Sequence, residues 1–296
     1  MKADLSRFAV KADSGRFAAA VRIERTKERP AARRTKERFA VKNLFSVKGK
    51  VVLVTGGSRG IGFMIAEGFA THGAKVYISA RKQEELDEAQ AALSRHGTAI
   101  AIRADVSSEA GCNALAAEIA RREPKLHVLV NNAGANWAAP LAEYPDNGWD
   151  KVLALNVKSV FLLTRALVPQ LKAAGTAADP ARVINIGSVD GLHVPPMETY
   201  AYSTSKAAVH HLTRTLAKRL APEHVTVNAV APGPFPSKMM KQTLETFGEA
   251  IVASVPRGRI GEPEDMAGVA IYLASRAGAY VTGAVIPVDG GMVTLV

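Results

Sequence analysis

From Lys50 onward, short β-branched runs alternate with longer stretches of helical periodicity, and this alternation constrains the fold more than any other feature of the chain. Strands joined through crossover helices pair in parallel, and a parallel sheet needs helices on both faces. The run Val51-Val52-Leu53-Val54 is apolar at every position, as expected when both faces are covered. Further strands are predicted at 75–80, 98–103, 127–131, 182–186, 226–230 and 284–288. Helical periodicity is clearest over 61–71, 84–95, 109–122, 149–171 and 202–220. Seven strands with helices between them predict an α/β fold: a single Rossmann-type, doubly wound parallel sheet over residues 44–296.

The formal charge of +11 would suggest a polyanionic partner if it were spread over that domain, but +8 of it lies in residues 1–43. This segment repeats short pieces of itself, Arg7 to Lys11 at Arg38 to Lys42 and Arg25 to Arg29 at Arg34 to Arg38. Its low content of large apolar residues predicts a flexible extension, and its five acidic residues argue against an organelle presequence. The near-neutral remainder gives no reason to expect a nucleic-acid partner. The single cysteine, Cys112, excludes an internal disulfide and fits a reducing, cytoplasmic setting. No uninterrupted apolar run approaches the roughly 18 residues of a membrane-spanning helix, so a soluble protein is expected.

The first strand runs into Thr55-Gly56-Gly57-Ser58-Arg59-Gly60-Ile61-Gly62, and an amphipathic stretch follows at once. Strand, glycine turn and helix in this order bring backbone amides at a helix N-terminus close to a pyrophosphate. An acidic side chain at the end of the second strand would bond the ribose hydroxyls of NAD(H). This sequence instead reads Ser79-Ala80-Arg81-Lys82, and Arg81 with Arg59 suits a 2′-phosphate, so NADP(H) is expected over NAD(H).

Tyr202 and Lys206 stand four residues apart on a predicted helix and share one face. A fixed cation nearby would favour the phenolate and ready the tyrosine for proton exchange with a substrate oxygen. Tyr200 lies off that face and is expected at the pocket rim. His193, His210 and His211 have no obvious carboxylate partner, and the adjacent His210-His211 pair cannot clamp one metal; no metal site is expected.

With these motifs in this order, the chain resembles the short-chain dehydrogenase/reductase family over about residues 46–291. The resemblance rests on Thr55 to Gly62, Asn131-Asn132-Ala133-Gly134, Asn156 in Leu155-Asn156-Val157, Ser188, Tyr202 with Lys206, and Pro232-Gly233. It implies that Tyr202 protonates a carbonyl oxygen, that Lys206 lowers the tyrosine pKa and holds the nicotinamide ribose, and that Ser188 donates to the developing oxyanion. It also implies that Asn156 holds a water linking Lys206 to solvent. Gly56, Ser58, Arg59, Gly60, Ile61, Gly62, Arg81, Asn132, Ala133, Gly134, Tyr202, Lys206, Pro232, Gly233 and Ser237 would line the cofactor, with Asp105 and Val106 at its adenine. A homotetramer or homodimer is the family expectation, with Val288 to Gly291 in the assembly region.

Substrate specificity in open α/β sheets comes from segments beyond the carboxyl ends of the strands. Here these carry Trp137, His193, Met197, Phe235, Met239 and Met240, and with Ser188 they predict a mostly apolar pocket. Within the family the chain looks most like 3-oxoacyl thioester reductases of the rhamnolipid type, which implies an NADPH-dependent ketoreductase. An NAD-dependent alcohol dehydrogenase is the alternative enzyme. A cofactor-sensing or anion-binding module is the non-enzymatic one, disfavoured because a sensor needs no acid/base pair.

Overall fold

All seven predicted strands form in the computed structural model, which describes residues 42–238 and 240–293. They are β1 (Val51–Thr55), β2 (Lys75–Ala80), β3 (Thr98–Arg103), β4 (Val128–Asn131), β5 (Ala181–Ile186), β6 (Val225–Pro232) and β7 (Val285–Val288). Every pairing is parallel, and the sheet order is β3-β2-β1-β4-β5-β6-β7. This is the doubly wound Rossmann order, and the chain changes direction across the sheet between β1 and β4. Ligands of open sheets bind in the crevice that such a switch point opens. The predicted extension lies outside the described residues up to residue 41.

Alternate strand residues supply two separate cores. Val52, Val54, Val76, Ile78, Val128, Val130 and Ile184 pack on one face with Ile65 and Phe69 of α1 (Gly60–Thr71), Leu86 and Leu93 of α2 (Gln83–Leu93), and Met266 and Leu273 of α8 (Pro263–Ala274). Leu53, Tyr77, Leu129, Val183 and Val227 pack on the other face. Their partners include Leu115 and Ile119 of α3 (Glu109–Arg122), Leu163 and Leu167 of α5 (Ser159–Ala174), and Ala217 and Leu220 of α6 (Tyr200–Leu220). Each fully buried side chain of this size contributes about 1.5–3 kcal/mol.

The stretch predicted as one helix over 149–171 is α4 (Asp146–Leu153), a π turn over Ala154–Lys158, and α5 in unbroken succession. This 29-residue run, Asp146–Ala174, is long and apolar enough by length and composition to cross a membrane, although charged residues such as Lys158 and Arg165 interrupt it. Its apolar side chains Leu162, Leu163, Leu167 and Leu171 are buried in the core, which accounts for the composition. Two helices were not among the predicted ones, α7 (Lys241–Ser254) and α8. The start of α8 does carry a sequence signal: Pro263 opens it, and Glu262 and Asp265 form a reciprocal capping box.

Beneath the sheet, Asp179 joins two cations. Lys50 Nζ lies 2.7 and 2.9 Å from its oxygens, and Arg182 Nη1 lies 2.8 Å from it. Arg182 is 1% exposed and also donates to the carbonyls of Leu273 (3.2 Å) and Ser275 (2.6 Å). The ion triad thus ties β1, β5 and the end of α8 together.

Candidate active site

The glycine turn opens at the switch point. Gly56 leaves β1 at φ +64, and a Cβ there would stand 2.9 Å from Asn132 Nδ2 and 3.1 Å from the Ala133 Cα. Gly62 answers a different demand: a Cβ would lie 2.3 Å from the Gly56 carbonyl oxygen, so only glycine lets α1 begin this close to the strand ends. Asn132 braces the turn from β4, donating through Nδ2 to the carbonyls of Thr55 (2.9 Å) and Gly56 (3.1 Å). Thr55 Oγ1 in turn accepts from the amides of Asn132 and Ala133, each at 3.0 Å. Ser58, Gly60 and Ile61 complete the turn, half-buried.

Arg59 is the N-cap of α1 but makes no side-chain cap, and the first turn holds no acidic residue. Helix amides left without a capping side chain, with the macrodipole behind them, form a site for an anion such as a pyrophosphate. The residues present therefore fit a dinucleotide. At the far end of the site the two expected arginines have different partners in the ligand-free protein. Arg59 Nη1 donates to both oxygens of Glu85 at 2.6 and 2.8 Å, whereas the charge of Arg81 acts on Asp105. Asp105 Oδ1 accepts from the Ser107 amide (3.0 Å), and the Val106 side chain is buried in the core.

Pro232 ends β6, and the Gly233 amide donates to the Val288 carbonyl (3.0 Å). Ser237 lies on the glycine turn, its Cβ 3.2 Å from where a Gly60 Cβ would be, and its Oγ accepts from the Met240 amide (3.2 Å). The segment after β6 thus closes on the turn after β1.

The catalytic candidates converge at the carboxyl ends of β4 and β5. Ser188 follows β5 and is 7% exposed; its Oγ accepts from the Asp190 amide (3.2 Å), which leaves the hydroxyl proton free to be aimed elsewhere. Tyr202 and Lys206 occupy one face of α6, with Lys206 Nζ 5.3 Å from the Tyr202 ring centre. Lys206 Nζ donates to the Ile186 carbonyl (2.8 Å) and would stand 3.9 Å from a Cβ on Gly134, at the mouth of the cofactor crevice. Burial pushes the Tyr202 phenol up to about 12; a hydrogen bond with the Ser188 side chain opposes this and the Asp190 charge reinforces it. Burial brings Lys206 down to about 8, against the pull of Asp190. In the ligand-free protein burial thus outweighs the groups around the Tyr202 phenol.

Asn156 sits in the π turn, a helix irregularity that recurs at functional sites. Its Oδ1 accepts from the Ala135 amide (2.8 Å), and its Nδ2 donates to the Ala135 carbonyl (2.9 Å) and to Ser205 Oγ (2.9 Å). Ser205 then donates to the Tyr202 carbonyl (2.6 Å). Both amide hydrogens are engaged by protein, so the Asn156 side chain ties the loop after β4 to the Tyr202 helix.

A buried polar network that runs from the first residue of the Asn131 to Gly134 motif into residues without one supports these groups. Asn131 Nδ2 donates to Thr164 Oγ1 (3.1 Å) and Asn185 Oδ1 (2.9 Å), and Asn185 Nδ2 donates to Thr213 Oγ1 (2.9 Å). Asparagines at interior positions of apolar strands are the signal that could have revealed it, because buried amides need partners.

His193 does have a carboxylate neighbour, contrary to expectation: its Nε2 lies 3.7 Å from Asp190 Oδ1, an i, i+3 relation. Burial raises the Asp190 carboxyl pKa, while His193 and Lys206 draw it down. His210 is 3% exposed and burial lowers it to about 4, whereas His211 is exposed, so the adjacent pair points apart.

Among the predicted substrate residues, Trp137 packs on Gly148 with Lys151 Nζ 5.2 Å over its ring. Met197 is 41% exposed on the β5–α6 connection, beside exposed Leu192 and Val194. Tyr200 donates to Glu198 (2.7 Å) and packs edge-on to Tyr144. Phe235 departs from expectation. It is 2% exposed in the core shared with α8, its ring filling the space over Gly261, so it is a packing residue and not a pocket wall. Met240 is half-buried, and Met239 lies outside the described residues.

Residues 56–293 match the family described as enoyl-(acyl carrier protein) reductase. The chain is 51% identical over 249 residues to the rhamnolipids biosynthesis 3-oxoacyl-(acyl-carrier-protein) reductase of Pseudomonas aeruginosa, covering 83% of this chain and 97% of the relative. It is 39% identical to a galactitol 2-dehydrogenase (L-tagatose-forming) of Cereibacter sphaeroides, over 84% and 97% of the two chains. Among solved structures, the Pseudomonas aeruginosa RhlG/NADP active-site complex superposes with a TM-score of 0.82 at 51% identity, covering 84% of this chain and 98% of that one. With the parallel 3-2-1-4-5-6-7 sheet, the braced glycine turn and the Ser188, Tyr202 and Lys206 cluster, these matches show that the chain belongs to the short-chain dehydrogenase/reductase family.

Proposed function

We propose that the protein is an NADP(H)-dependent ketoreductase that reduces the ketone of a 3-oxoacyl thioester. The observation that carries this reading is the convergence of Tyr202, Ser188 and Lys206 at the strand ends beside the glycine turn. The bound cofactor supplies the hydride. The protein's own part is to bind the carbonyl, polarise it and provide a proton. Ser188, with its acceptor side occupied by the Asp190 amide, directs its O–H at the carbonyl oxygen. Tyr202, its phenol pushed up to about 12, is fully protonated at neutral pH and donates as negative charge develops on that oxygen. Lys206 stands behind it as a cation, held by the Ile186 carbonyl.

The substrate class is supported by the relative's name and by exposed apolar side chains, Leu192, Val194 and Met197, on the segment that follows Ser188, which suit an acyl chain better than a polyol. The cofactor is supported by the neighbouring NADP complex and by the lack of any carboxylate at the end of β2. A homotetramer or homodimer assembled through β7 is supported by the place of that strand at a sheet edge with none of its residues buried. A reducing, cytoplasmic setting suits a chain whose single cysteine, Cys112, is buried with its thiol pushed up to about 11.

A steady-state panel tests the proposal: 3-oxoacyl thioesters, sugar ketones and alicyclic ketones, each with NADPH and NADH. Fast turnover of the thioesters with NADPH is expected, and Tyr202→Phe should lower kcat by about 10²–10⁴ while cofactor binding persists. Preferential turnover of a sugar ketone, or full activity in Tyr202→Phe, would overturn it.

A further inference from the structure

We propose that Glu85 is an internal counter-anion of the 2′-phosphate subsite, a carboxylate that the incoming 2′-phosphate displaces from Arg59. The inference rests on the NADP(H) reading above. The place where an NAD(H)-binding carboxylate would stand, the end of β2, holds Ala80-Arg81-Lys82 instead. An acid nevertheless reaches this corner from the first turn of α2. Arg59 Nη1 donates to both Glu85 oxygens, at 2.6 and 2.8 Å, and Lys82 Nζ stands 3.3 Å away on the other side. The charge of Lys238, next to the Ser237 that lies on the glycine turn, also acts on Glu85.

Three cations around one carboxylate leave an excess of two positive charges. A phosphomonoester carries about −1.5 to −2 near neutral pH and matches that excess. A dianion beside a carboxylate on the same guanidinium is repelled, and the end-on Nη1/Nη2 fork of Arg59 opens to a phosphate only when Nη1 leaves Glu85. Exchange is therefore favoured over sharing. It is also accessible, because the Arg59 and Glu85 side chains are 50% and 26% exposed, and the displaced carboxylate keeps Lys82 one turn away. A cofactor lacking the 2′-phosphate leaves the Arg59–Glu85 pair intact. Glu85 thus tempers the affinity for NADP(H), since every binding event must first separate this pair.

Calorimetric titration of the full chain with NADP⁺, NAD⁺ and adenosine 2′-monophosphate tests this without any substrate. Glu85→Gln should tighten NADP⁺ and the 2′-monophosphate by about two- to fivefold, the range of a partly exposed ion pair, and move NAD⁺ less. In an Arg59→Ala background the gain should vanish. A weaker or unchanged NADP⁺ affinity in Glu85→Gln, equal shifts for both dinucleotides, or a gain that survives without Arg59 would each overturn the inference. Wild-type protein that binds NAD⁺ more tightly than NADP⁺ would overturn the NADP(H) reading itself, and a thermal melt shows that each variant is folded.

Discussion

Replacing Phe235 with alanine separates two roles for one side chain: wall of the substrate pocket, as its place after β6 suggests, or part of the core under α8. The ring is 2% exposed, and a Cβ on Gly261 would come within 2.2 Å of it, so the surrounding backbone is closed over the ring. Truncating a buried phenylalanine in such a site costs about 3–5 kcal/mol, because transfer free energy and the cavity left behind add. For a domain of this size each kcal/mol lowers Tm by about 2–4 °C, so Phe235→Ala should melt roughly 6–20 °C below the wild type. Differential scanning fluorimetry on the ligand-free proteins measures this, and KM for the best ketone substrate is compared well below both transitions. The core reading requires a large fall in Tm with KM close to unchanged. A fall of less than about 2 °C together with a severalfold change in KM would refute it and return Phe235 to the pocket.

Two further outcomes follow from charges around the site and beneath the sheet. Asp190→Asn removes the negative charge that raises both the Tyr202 phenol and the Lys206 ammonium, so the alkaline limb of kcat against pH should move to lower pH; an unmoved limb would refute an action of the Asp190 charge on this pair. Asp179→Ala should destabilise by about 1–3 kcal/mol, since it leaves buried Arg182 without its counter-charge, but Asp179 is 38% exposed and the loss falls short of a fully buried pair. Burial would raise the Asp179 carboxyl, but hydrogen bonds from Lys50 and Arg182 outweigh it and hold the folded value below 3.8. Its contribution is therefore complete above the unfolded value and disappears as pH falls through the lower folded one. Acid unfolding of the wild type and of the variant should converge below that point, and curves that stay parallel would refute the linkage.

Local chemistry made much of this protein legible before any coordinates. Fully apolar strands, a glycine turn between strand and helix, and a Tyr/Lys pair at helical spacing are written in contiguous residues, because the forces behind them act within a few positions of the chain. Seven strands, the parallel sheet and the Ser188, Tyr202 and Lys206 cluster were accordingly readable from sequence and motif. Tertiary packing alone decided which of several compatible partners each side chain meets. It assigned Glu85 to Arg59, Asn156 to the loop after β4 and Phe235 to the core, through contacts spanning up to tens of residues. It also set the proton affinities of Tyr202 and Lys206, because desolvation depends on what the rest of the chain folds over them, and no local pattern encodes that.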